Sequence, residues 1–285
     1  MGEHLRLVDV LTRTEGWFRQ RGIDTPRLDA ELILCKVLGM ERLQLYLAHD
    51  RPMNPKELGD LRDLVKRRGS REPIAWLLGT QGFHAIDLDV IPGVLVPRPD
   101  TETLVEAAIE WIDPSADPVY VADVGSGSGA VGLALASALP SVRVYAVDRA
   151  PEALACTRRN VEKLGLEKRV AVLEGDLLGP IPTHRPIDWV LSNPPYIPSP
   201  DFDSLQPEVS VHEPRLALDG GQDGLDVYRR LIPAAAKRAS KGVVVEVGHD
   251  QASRVMGLFR RAGLTDVRTW DDLGGITRVV GGRVG

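Results

Sequence analysis

The spacing of apolar residues changes along the chain and divides it into parts. In residues 1–80, apolar side chains recur every three or four positions, which is typical of amphipathic helices. Pro26 and Pro55 follow N-capping residues, and Gly39 and Gly79 end apolar stripes, so these residues mark helix starts and ends. The pattern predicts a small α-helical bundle at the N-terminus.

A different pattern begins after this bundle. Residues 81–97 are rich in β-branched and apolar side chains and contain the turn signal Pro92-Gly93, which favours a β-hairpin linker. From residue 98 to 285, apolar runs alternate with helical segments, which predicts an α/β, doubly wound, mostly parallel sheet of Rossmann-like type. The predicted strands are 119–124, 142–148, 169–174, 187–192, 242–248, 264–270 and 275–281. A short connection precedes the last strand, so we expect that strand to be antiparallel.

Residues 193–222 follow the fourth predicted strand of this sheet and form a long predicted loop, which in a compact domain is usually functional. The loop begins with Asn193-Pro194-Pro195-Tyr196. Two prolines cannot continue a sheet ladder or a helix interior, so they fix the backbone and leave its carbonyl groups free to accept hydrogen bonds. The motif is expected at the carboxyl edge of the sheet, where such folds bind ligands. Taken alone, it is better explained as a stiff loop without chemistry.

A glycine-rich turn favours a ligand site over a stiff loop without chemistry. It follows the first strand of the sheet and opens the next helix. Glycines let the backbone approach a ligand, and free N–H groups at a helix start favour polar or anionic groups. The predicted ligand contacts are Gly125, Ser126, Gly127, Ser128 and Gly129. Asp148 ends the next strand, where one carboxylate can accept from two ribose hydroxyls. A tight turn and a helix N-cap would explain these residues singly, but their order favours a ligand site.

Asp123, the glycines at 125, 127 and 129, and Asp148 together resemble the class I S-adenosylmethionine-dependent methyltransferases. Asn193-Pro194-Pro195-Tyr196 resembles the motif with which such enzymes methylate amino or amide nitrogens on planar groups. The resemblance implies that S-adenosyl-L-methionine is the methyl donor and S-adenosyl-L-homocysteine the product. It also implies that Asp176 and Leu177, after the third strand, lie near the adenine, and that Asn193 borders the cofactor as well as the substrate.

Further segments in both parts of the chain narrow the resemblance to the HemK/PrmC family. They are Arg27–Glu31, Arg71–Ile74, Gly79–Phe83, Val94–Glu102 and Glu213–Leu225. The resemblance implies methylation of the glutamine side-chain amide in the Gly-Gly-Gln motif of peptide chain release factors. It assigns residues 1–80 to recognition of the substrate protein, 81–97 to a linker and 98–285 to the methyltransferase domain.

The motif at residue 193 has a mechanistic interpretation within this resemblance. The Asn193 side-chain oxygen and the Pro194 carbonyl accept the two N–H groups of the substrate amide, and Pro195 completes the rigid turn. Tyr196 packs against the amide plane and excludes water. The predicted catalytic residues are Asn193, Pro194 and Tyr196.

Composition limits the alternatives. The net charge of -5 argues against broad capture of nucleic acid, and the chain shows no metal-ligand spacing, signal peptide or membrane-length apolar run. We therefore expect a cytoplasmic enzyme without direct nucleic acid or membrane binding. The nearest alternative is a nucleic acid amino-methyltransferase acting on adenine or guanine, because a flipped base presents a similar nitrogen. A nicotinamide dehydrogenase using the glycines at 127, 129 and 132, or a noncatalytic scaffold, are more distant alternatives.

Overall fold

The computed structural model describes residues 5–113, 115–116 and 118–285. Within these residues the chain divides into two compact units. The helical unit contains the residues up to Thr80 together with Gln206–His212, and the sheet unit contains Gln81–Leu205 and Glu213–Gly285. In the described part of the chain, no helix has the length and apolar character needed to cross a membrane.

The helical unit begins with amphipathic helices whose ends follow the sequence signals. The helices are α1 (Leu7–Arg19), α2 (Pro26–Leu38), α3 (Arg42–Leu47), α4 (Pro55–Gly69) and α5 (Ile74–Leu78). Pro26 and Pro55 occupy the first turns of α2 and α4, while Gly39 and Gly79 adopt the left-handed conformation after α2 and α5. The predicted N-terminal helical region is therefore confirmed.

Buried charges of the helical unit are paired with one another. Arg68 donates from Nε to Oδ2 of Asp29 over 2.6 Å and from Nη1 to Oε1 of Glu208 over 2.9 Å. Arg71 donates to the other oxygen of Glu208 over 2.8 Å. Glu31, which is fully buried, accepts from Arg42 at 2.7 Å. A buried charge is costly unless it is paired, so these contacts compensate the buried charges of Asp29, Glu31 and Arg68. Glu208 also ties the 206–212 segment to the unit.

The sheet unit starts with a hairpin of β1 (Thr80–Phe83) and β2 (Ile86–Asp89). The boundary between the units falls after Thr80, the first residue of β1. The later elements of the sheet unit are α6 (Glu102–Trp111), β3 (Val119–Val124), α7 (Ala130–Ala138), β4 (Val142–Asp148), α8 (Pro151–Lys163), β5 (Val170–Glu174), β6 (Trp189–Ser192), α9 (Asp226–Arg238), β7 (Gly242–Glu246), α10 (Ala252–Arg261), β8 (Thr265–Asp271) and β9 (Thr277–Arg283). Among the described residues, seven strands form one sheet in the order β5-β4-β3-β6-β7-β9-β8. β9 runs antiparallel to both of its neighbours, β7 and β8, and the other neighbouring strands of this sheet pair in parallel, so the predicted class of sheet is confirmed.

Two connections differ in detail from the sequence prediction. The hairpin turns at His84 and the next residue, not at Pro92-Gly93, because His84 takes the left-handed conformation with φ 52°. Pro92-Gly93 forms a separate turn after the hairpin. The long loop after β6 contains short helical turns at Ser199–Ser204, Glu208–His212 and Arg215–Ala217. It is therefore folded over much of its length.

The order of the strands places the predicted site. The chain builds β3, β4 and β5 outward in one direction, and then returns to place β6 on the other side of β3. Such a reversal opens a crevice at the carboxyl ends of the strands, where ligands bind in open α/β sheets. The turns after β3, β4, β5 and β6 all lie at this edge.

Candidate active site

The turn after β3 holds its backbone in a conformation that favours glycine. Gly125, Gly127 and Gly129 have φ angles of 74°, 58° and 86°, where residues with a Cβ atom are strained. A Cβ on Gly129 would lie 2.8 Å from Cδ1 of Leu133, whereas one on Gly127 would meet no protein atom within 4 Å. The turn is thus packed against α7 at one glycine and borders open space at the other.

The carboxylate of Asp148 is fixed against this glycine turn. Its Oδ2 accepts from Gly127 N over 2.9 Å, and its Oδ1 accepts from the backbone N–H groups of Arg149 and Ala150 over 2.8 and 2.9 Å. A carboxylate offers about four acceptor positions, so Oδ2 keeps capacity for a further donor. These bonds orient the carboxylate, and Asp148 does not cap the helix α8, whose N-cap residue is Ala150.

The turn after β5 carries Asp176 and Leu177. Leu177 adopts φ 52°, an uncommon conformation for a residue with a branched side chain, and it is partly exposed. Asp176 pairs with Arg230 of α9, and both side chains are about half exposed. Strain at a non-glycine residue persists where the surroundings enforce it, often at ligand sites.

These turns surround a cleft with about 890 Å³ of empty space, including the part open to solvent. The lining contains the predicted site residues Gly125, Gly127, Asp148, Asp176, Leu177, Asn193, Pro194 and Pro195. Ser126, Ser128, Gly129 and Tyr196, which the sequence also predicts as site residues, lie outside this lining, and both serines are buried. Their direct contact with a ligand stays a prediction.

Asn193 stands next to the glycine turn. Ser192, the last residue of β6, donates its hydroxyl to Val124 O over 2.7 Å and so fastens the end of β6 to the end of β3. A Cβ on Gly125 would lie 3.9 Å from the backbone oxygen of Asn193. The Asn193 side chain donates from Nδ2 to Oγ1 of Thr101 over 3.1 Å. The amide oxygen Oδ1 therefore points away from Thr101.

Tyr196 is anchored at both its backbone and its hydroxyl. Its carbonyl accepts from Nε2 of Gln251 over 2.8 Å, and its hydroxyl donates to Oε1 of Glu246 over 3.2 Å. Burial, together with the nearby carboxylate of Glu246, raises the pKa of Tyr196 well above its ordinary value, so the phenol stays protonated. Tyr196 therefore serves as a hydrogen-bond donor to Glu246.

Two buried carboxyl groups stand close to the site. Burial raises the pKa of Asp123 to about 7, and the nearby charge of Asp148 adds to this, while the hydrogen bond from Gly132 N opposes it. That bond is 2.9 Å long and holds the first turn of α7, so in this structure Asp123 supports the glycine turn. Burial likewise raises the pKa of Glu246 to about 7. Both groups titrate near neutral pH in the folded protein.

Helix α8 supplies two supporting residues that the sequence interpretation missed. Thr157 donates its hydroxyl to Gly127 O over 2.9 Å, and Asn160 donates from Nδ2 to Ser128 O over 2.9 Å. The same Asn160 side chain bonds both the N–H and the carbonyl of Asp89, at 2.7 and 2.9 Å. Both side chains are fully buried. Their spacing is a sequence signal for a shared contact, because polar residues three positions apart lie on one face of a helix.

Arg98 and Glu213 form an ion pair. Glu213 is buried, and its second oxygen accepts from Val96 N over 3.2 Å. Burial raises the pKa of Glu213, although Arg98 opposes the shift. The pair joins the segment after the hairpin to the loop that follows the motif at residue 193.

Solved structures similar to this chain support the fold. The catalytic domain of hMettl16, solved in complex with MAT2A 3′UTR hairpin 6, aligns over 71% of this chain and 77% of its own, with a TM-score of 0.57 and 15% identity. A methyltransferase from Pyrococcus furiosus aligns over 70% of this chain and 89% of its own, with a TM-score of 0.52 and 17% identity. At such low identity, the likeness shows a methyltransferase fold only.

Sequence relatives are much closer. Residues 9–79 match the PrmC N-terminal domain, and residues 108–205 match the methyltransferase small domain. The release factor glutamine methyltransferase of Geobacter sulfurreducens is 46% identical over 278 residues, covering 97% of this chain and 96% of the relative. The enzyme of that name from Caulobacter vibrioides is 40% identical over the same length and the same shares. The chain belongs to the family of release factor glutamine methyltransferases.

Proposed function

We propose that this protein transfers a methyl group from S-adenosyl-L-methionine to the side-chain amide nitrogen of the glutamine in the Gly-Gly-Gln motif of release factors. The observation that carries the proposal is the placement of Asn193 in the cleft beside the glycine turn, with its Nδ2 bonded to Thr101. This arrangement presents an amide oxygen to a ligand that donates N–H groups. Family membership supports the same substrate.

The cleft suits S-adenosylmethionine. Gly127 leaves space where any side chain would stand, Asp148 has acceptor capacity left for a ribose hydroxyl, and Leu177 offers an apolar surface for the adenine. When bound, the cofactor supplies an electrophilic methyl group on a sulfonium sulfur. In this proposal the glycine turn holds the methionine part, and Asp176 stands near the adenine.

The motif at residue 193 orients the substrate amide. A glutamine amide nitrogen is a poor nucleophile because its lone pair is delocalised into the carbonyl group. Oδ1 of Asn193 and the carbonyl of Pro194 accept its two N–H groups and hold the nitrogen toward the methyl donor. Pro195 keeps that carbonyl in place, because proline fixes the backbone and has no N–H of its own. Tyr196 shields the amide plane from water.

Proton removal needs no dedicated base in this scheme. The N-methylated amide is a strong acid until it loses a proton, so it releases that proton to solvent when the product leaves the water-excluding site. The chain's contribution is therefore the geometry of the amide and the exclusion of water, which are effective when the donor and acceptor groups are held in advance.

The direct test uses a purified release factor, labelled S-adenosylmethionine and mass spectrometry to locate the methyl group. We expect label on the glutamine of Gly-Gly-Gln. Asn193→Ala should lower kcat by about 100-fold or more, because the amide loses one of its two acceptors, while S-adenosylhomocysteine binding stays close to wild type.

Asn54→Ala is a matched control for that experiment. Asn54 caps α4 in the helical unit and accepts from Glu57 N over 2.9 Å. Its loss should cost about 1 kcal/mol of helix stability without changing kcat. Near-wild-type turnover in Asn193→Ala would refute the assignment of Asn193, and label on another residue would refute the substrate.

We also propose that the helical unit recognises the release factor outside the Gly-Gly-Gln motif. Its short helix α3 exposes Leu43 and Leu47, which are 68% and 76% exposed and share one face. Exposed apolar residues of this kind favour contact with a protein partner. Asp29 and Arg68 are structural residues instead, because their buried charges are paired within the unit.

Leu47→Ser then discriminates between protein and peptide substrates. We expect its KM for the release factor to rise about tenfold, while its activity on a short Gly-Gly-Gln peptide stays unchanged. Leu273→Ser is the control, since Leu273 is fully exposed in the turn between β8 and β9. Equal KM values for Leu47→Ser and wild type would contradict this role.

The nucleic acid alternative is not favoured. Curated relatives that cover most of this chain, from 36% to 46% identity, are named release factor glutamine methyltransferases. The dehydrogenase alternative fails on the same family assignment. Methyl incorporation into DNA or RNA at a rate comparable with that into a release factor would reverse this conclusion.

A further inference from the structure

A chain of polar side chains connects Asn193 to a buried carboxyl group. Thr101, just before α6, is 4% exposed, and Glu246, the last residue of β7, is 2% exposed. Asn193 donates to the hydroxyl of Thr101, and Tyr196 donates to Oε1 of Glu246. The hydroxyl of Thr101 also lowers the pKa of Glu246, as a donor to its carboxylate would. Asn193 and Tyr196, both in the motif after β6, thus reach the same carboxyl group by different routes.

Hydrogen-bond chemistry gives this chain a direction. A hydroxyl has one proton to donate, and an ionised carboxylate can only accept. A Thr101 hydroxyl that donates to the carboxylate of Glu246 leaves its oxygen to accept from Asn193. The bond between them must then run from Nδ2 of Asn193 to Oγ1 of Thr101, as the structure has it.

That direction decides which way the Asn193 amide faces. Rotation of an asparagine amide by half a turn exchanges its oxygen and its NH₂ group at nearly equal shape. The substrate amide needs an acceptor, so only the orientation with Oδ1 away from Thr101 is productive. The opposite orientation would place an N–H group against the N–H groups of the glutamine.

We propose that Thr101 and Glu246 are positioning residues that hold the Asn193 amide in its productive orientation. The proposal rests on the proposed function, because the acceptor requirement comes from a glutamine amide as substrate. Neither residue touches the substrate in this scheme. In the proposal, Glu246 accepts a hydrogen bond from the Thr101 hydroxyl and so orients it. The oxygen of Thr101 then accepts from Nδ2 of Asn193 and orients its amide.

The surroundings of Glu246 make this device sensitive to protonation. Burial and the charge of Asp100 raise the pKa of Glu246, while the hydroxyls of Thr101 and Tyr196 and the charge of Arg278 lower it. Arg278 itself pairs with Asp100 and Asp272, at 2.8 Å each. Oε2 of Glu246 has no hydrogen-bond partner among the described residues.

A protonated Glu246 would carry an O–H group, which could donate a hydrogen bond to the oxygen of Thr101. Thr101 would then be free to donate to Oδ1 of Asn193, and the unproductive amide orientation would become accessible. Turnover should therefore rise with pH through about 7, where Glu246 loses its proton. Orientation of Asn193 by packing alone predicts no such dependence.

Three substitutions test the chain. Thr101→Val removes the hydroxyl at nearly constant shape, Glu246→Gln removes the charge at constant size, and Thr101→Ser keeps the hydroxyl. We expect kcat to fall about 10- to 100-fold in Thr101→Val and Glu246→Gln, and to stay within about threefold of wild type in Thr101→Ser. S-adenosylhomocysteine affinity should change less than about twofold in all three. The rise of kcat with pH near 7 should persist in Thr101→Ser and be absent in Glu246→Gln.

The NMR signal of the Asn193 side-chain amide gives a test that needs neither turnover nor variants of Thr101 or Glu246, which could fold poorly. The sequence contains only Asn54, Asn160 and Asn193 as asparagines, so selective ¹⁵N-asparagine labelling gives few side-chain amide signals. Asn193→Ala assigns the signal of interest in the otherwise unchanged protein. We expect the wild-type Asn193 amide signal to titrate with a midpoint near pH 7, and the signals of Asn54 and Asn160 to serve as internal controls.

The outcomes separate this proposal from the proposed function. A wild-type enzyme that does not methylate a release factor overturns the function, whatever the amide signal does. An active wild type whose Asn193 signal and kcat are both independent of pH near 7 overturns the positioning chain. Wild-type kcat in Thr101→Val or Glu246→Gln overturns it as well.

Discussion

Asp123 should make the sheet unit less stable as pH rises, and Asp123→Asn should remove that dependence. Burial raises the pKa of Asp123 from 3.8 to about 7. Between these values the unfolded chain loses the proton while the folded chain keeps it. The folded state then binds more protons, so the contribution of Asp123 to the free energy of unfolding is greatest below pH 3.8 and falls until about pH 7.

The size of the effect follows from the shift. One pKa unit corresponds to about 1.4 kcal/mol, so the full shift is worth about 4 kcal/mol, of which roughly 2.5 kcal/mol falls between pH 5 and 8. The amide introduced by Asp123→Asn would keep an oxygen for the N–H of Gly132 but could not ionise. Glu246 has a shift of the same sign, but it is present in both proteins and cancels in the comparison.

Urea unfolding at pH 5, 6, 7 and 8 gives the required comparison, followed by the fluorescence of Trp111 and Trp189, which are buried in the sheet unit. The free energy of unfolding of Asp123→Asn minus that of wild type should rise by about 2–3 kcal/mol from pH 5 to 8. The substituted NH₂ group adds a constant offset, which the difference across pH removes. A difference that is flat over this range would refute the buried-carboxyl argument.

Two further substitutions test the support of the glycine turn. Gly132→Ala should cost about 1–3 kcal/mol in thermal unfolding, because its Cβ would lie 2.9 Å from Oδ2 of Asp123, whereas Gly59→Ala, with no atom within 4 Å, should leave the protein as stable or more so. Asn160→Ala removes a bond to Ser128 and should weaken S-adenosylhomocysteine binding by about tenfold in calorimetry. Equal stability of the two glycine variants, or unchanged binding in Asn160→Ala, would contradict the packing described for this turn.

The sequence predicted those features that depend on neighbouring residues. Pro26 and Pro55 mark helix starts, and alternation of apolar runs with helices predicted a parallel sheet with β9 reversed. The position of Asn193 at the end of β6 followed from the apolar run before it. The hairpin turn was misplaced, because the left-handed conformation of His84 depends on its surroundings, and histidine is not a strong turn signal.

Contacts between distant residues were beyond the sequence interpretation. Thr101 and Asn193 are 92 positions apart, and Tyr196 and Glu246 are 50 apart, so no local pattern joins them. The placement of Gln206–His212 with the helical unit depends on Glu208 meeting two arginines more than a hundred positions earlier. Such pairs become visible only when the topology of the chain is known.

The strand order places the residues that support the glycine turn and those that support the motif at residue 193 on opposite sides of β3. On one side of β3, helix α8 holds the glycine turn through Asn160, and on the other side β7 reaches the motif through Glu246. The two residues share no hydrogen-bond partner among the described residues, so their effects should be independent. Asn160→Ala should then change S-adenosylhomocysteine affinity alone and Glu246→Gln kcat alone, and the double variant should show both changes at full size. Strong non-additivity would mean that the cofactor turn and the substrate motif move as one element instead of two.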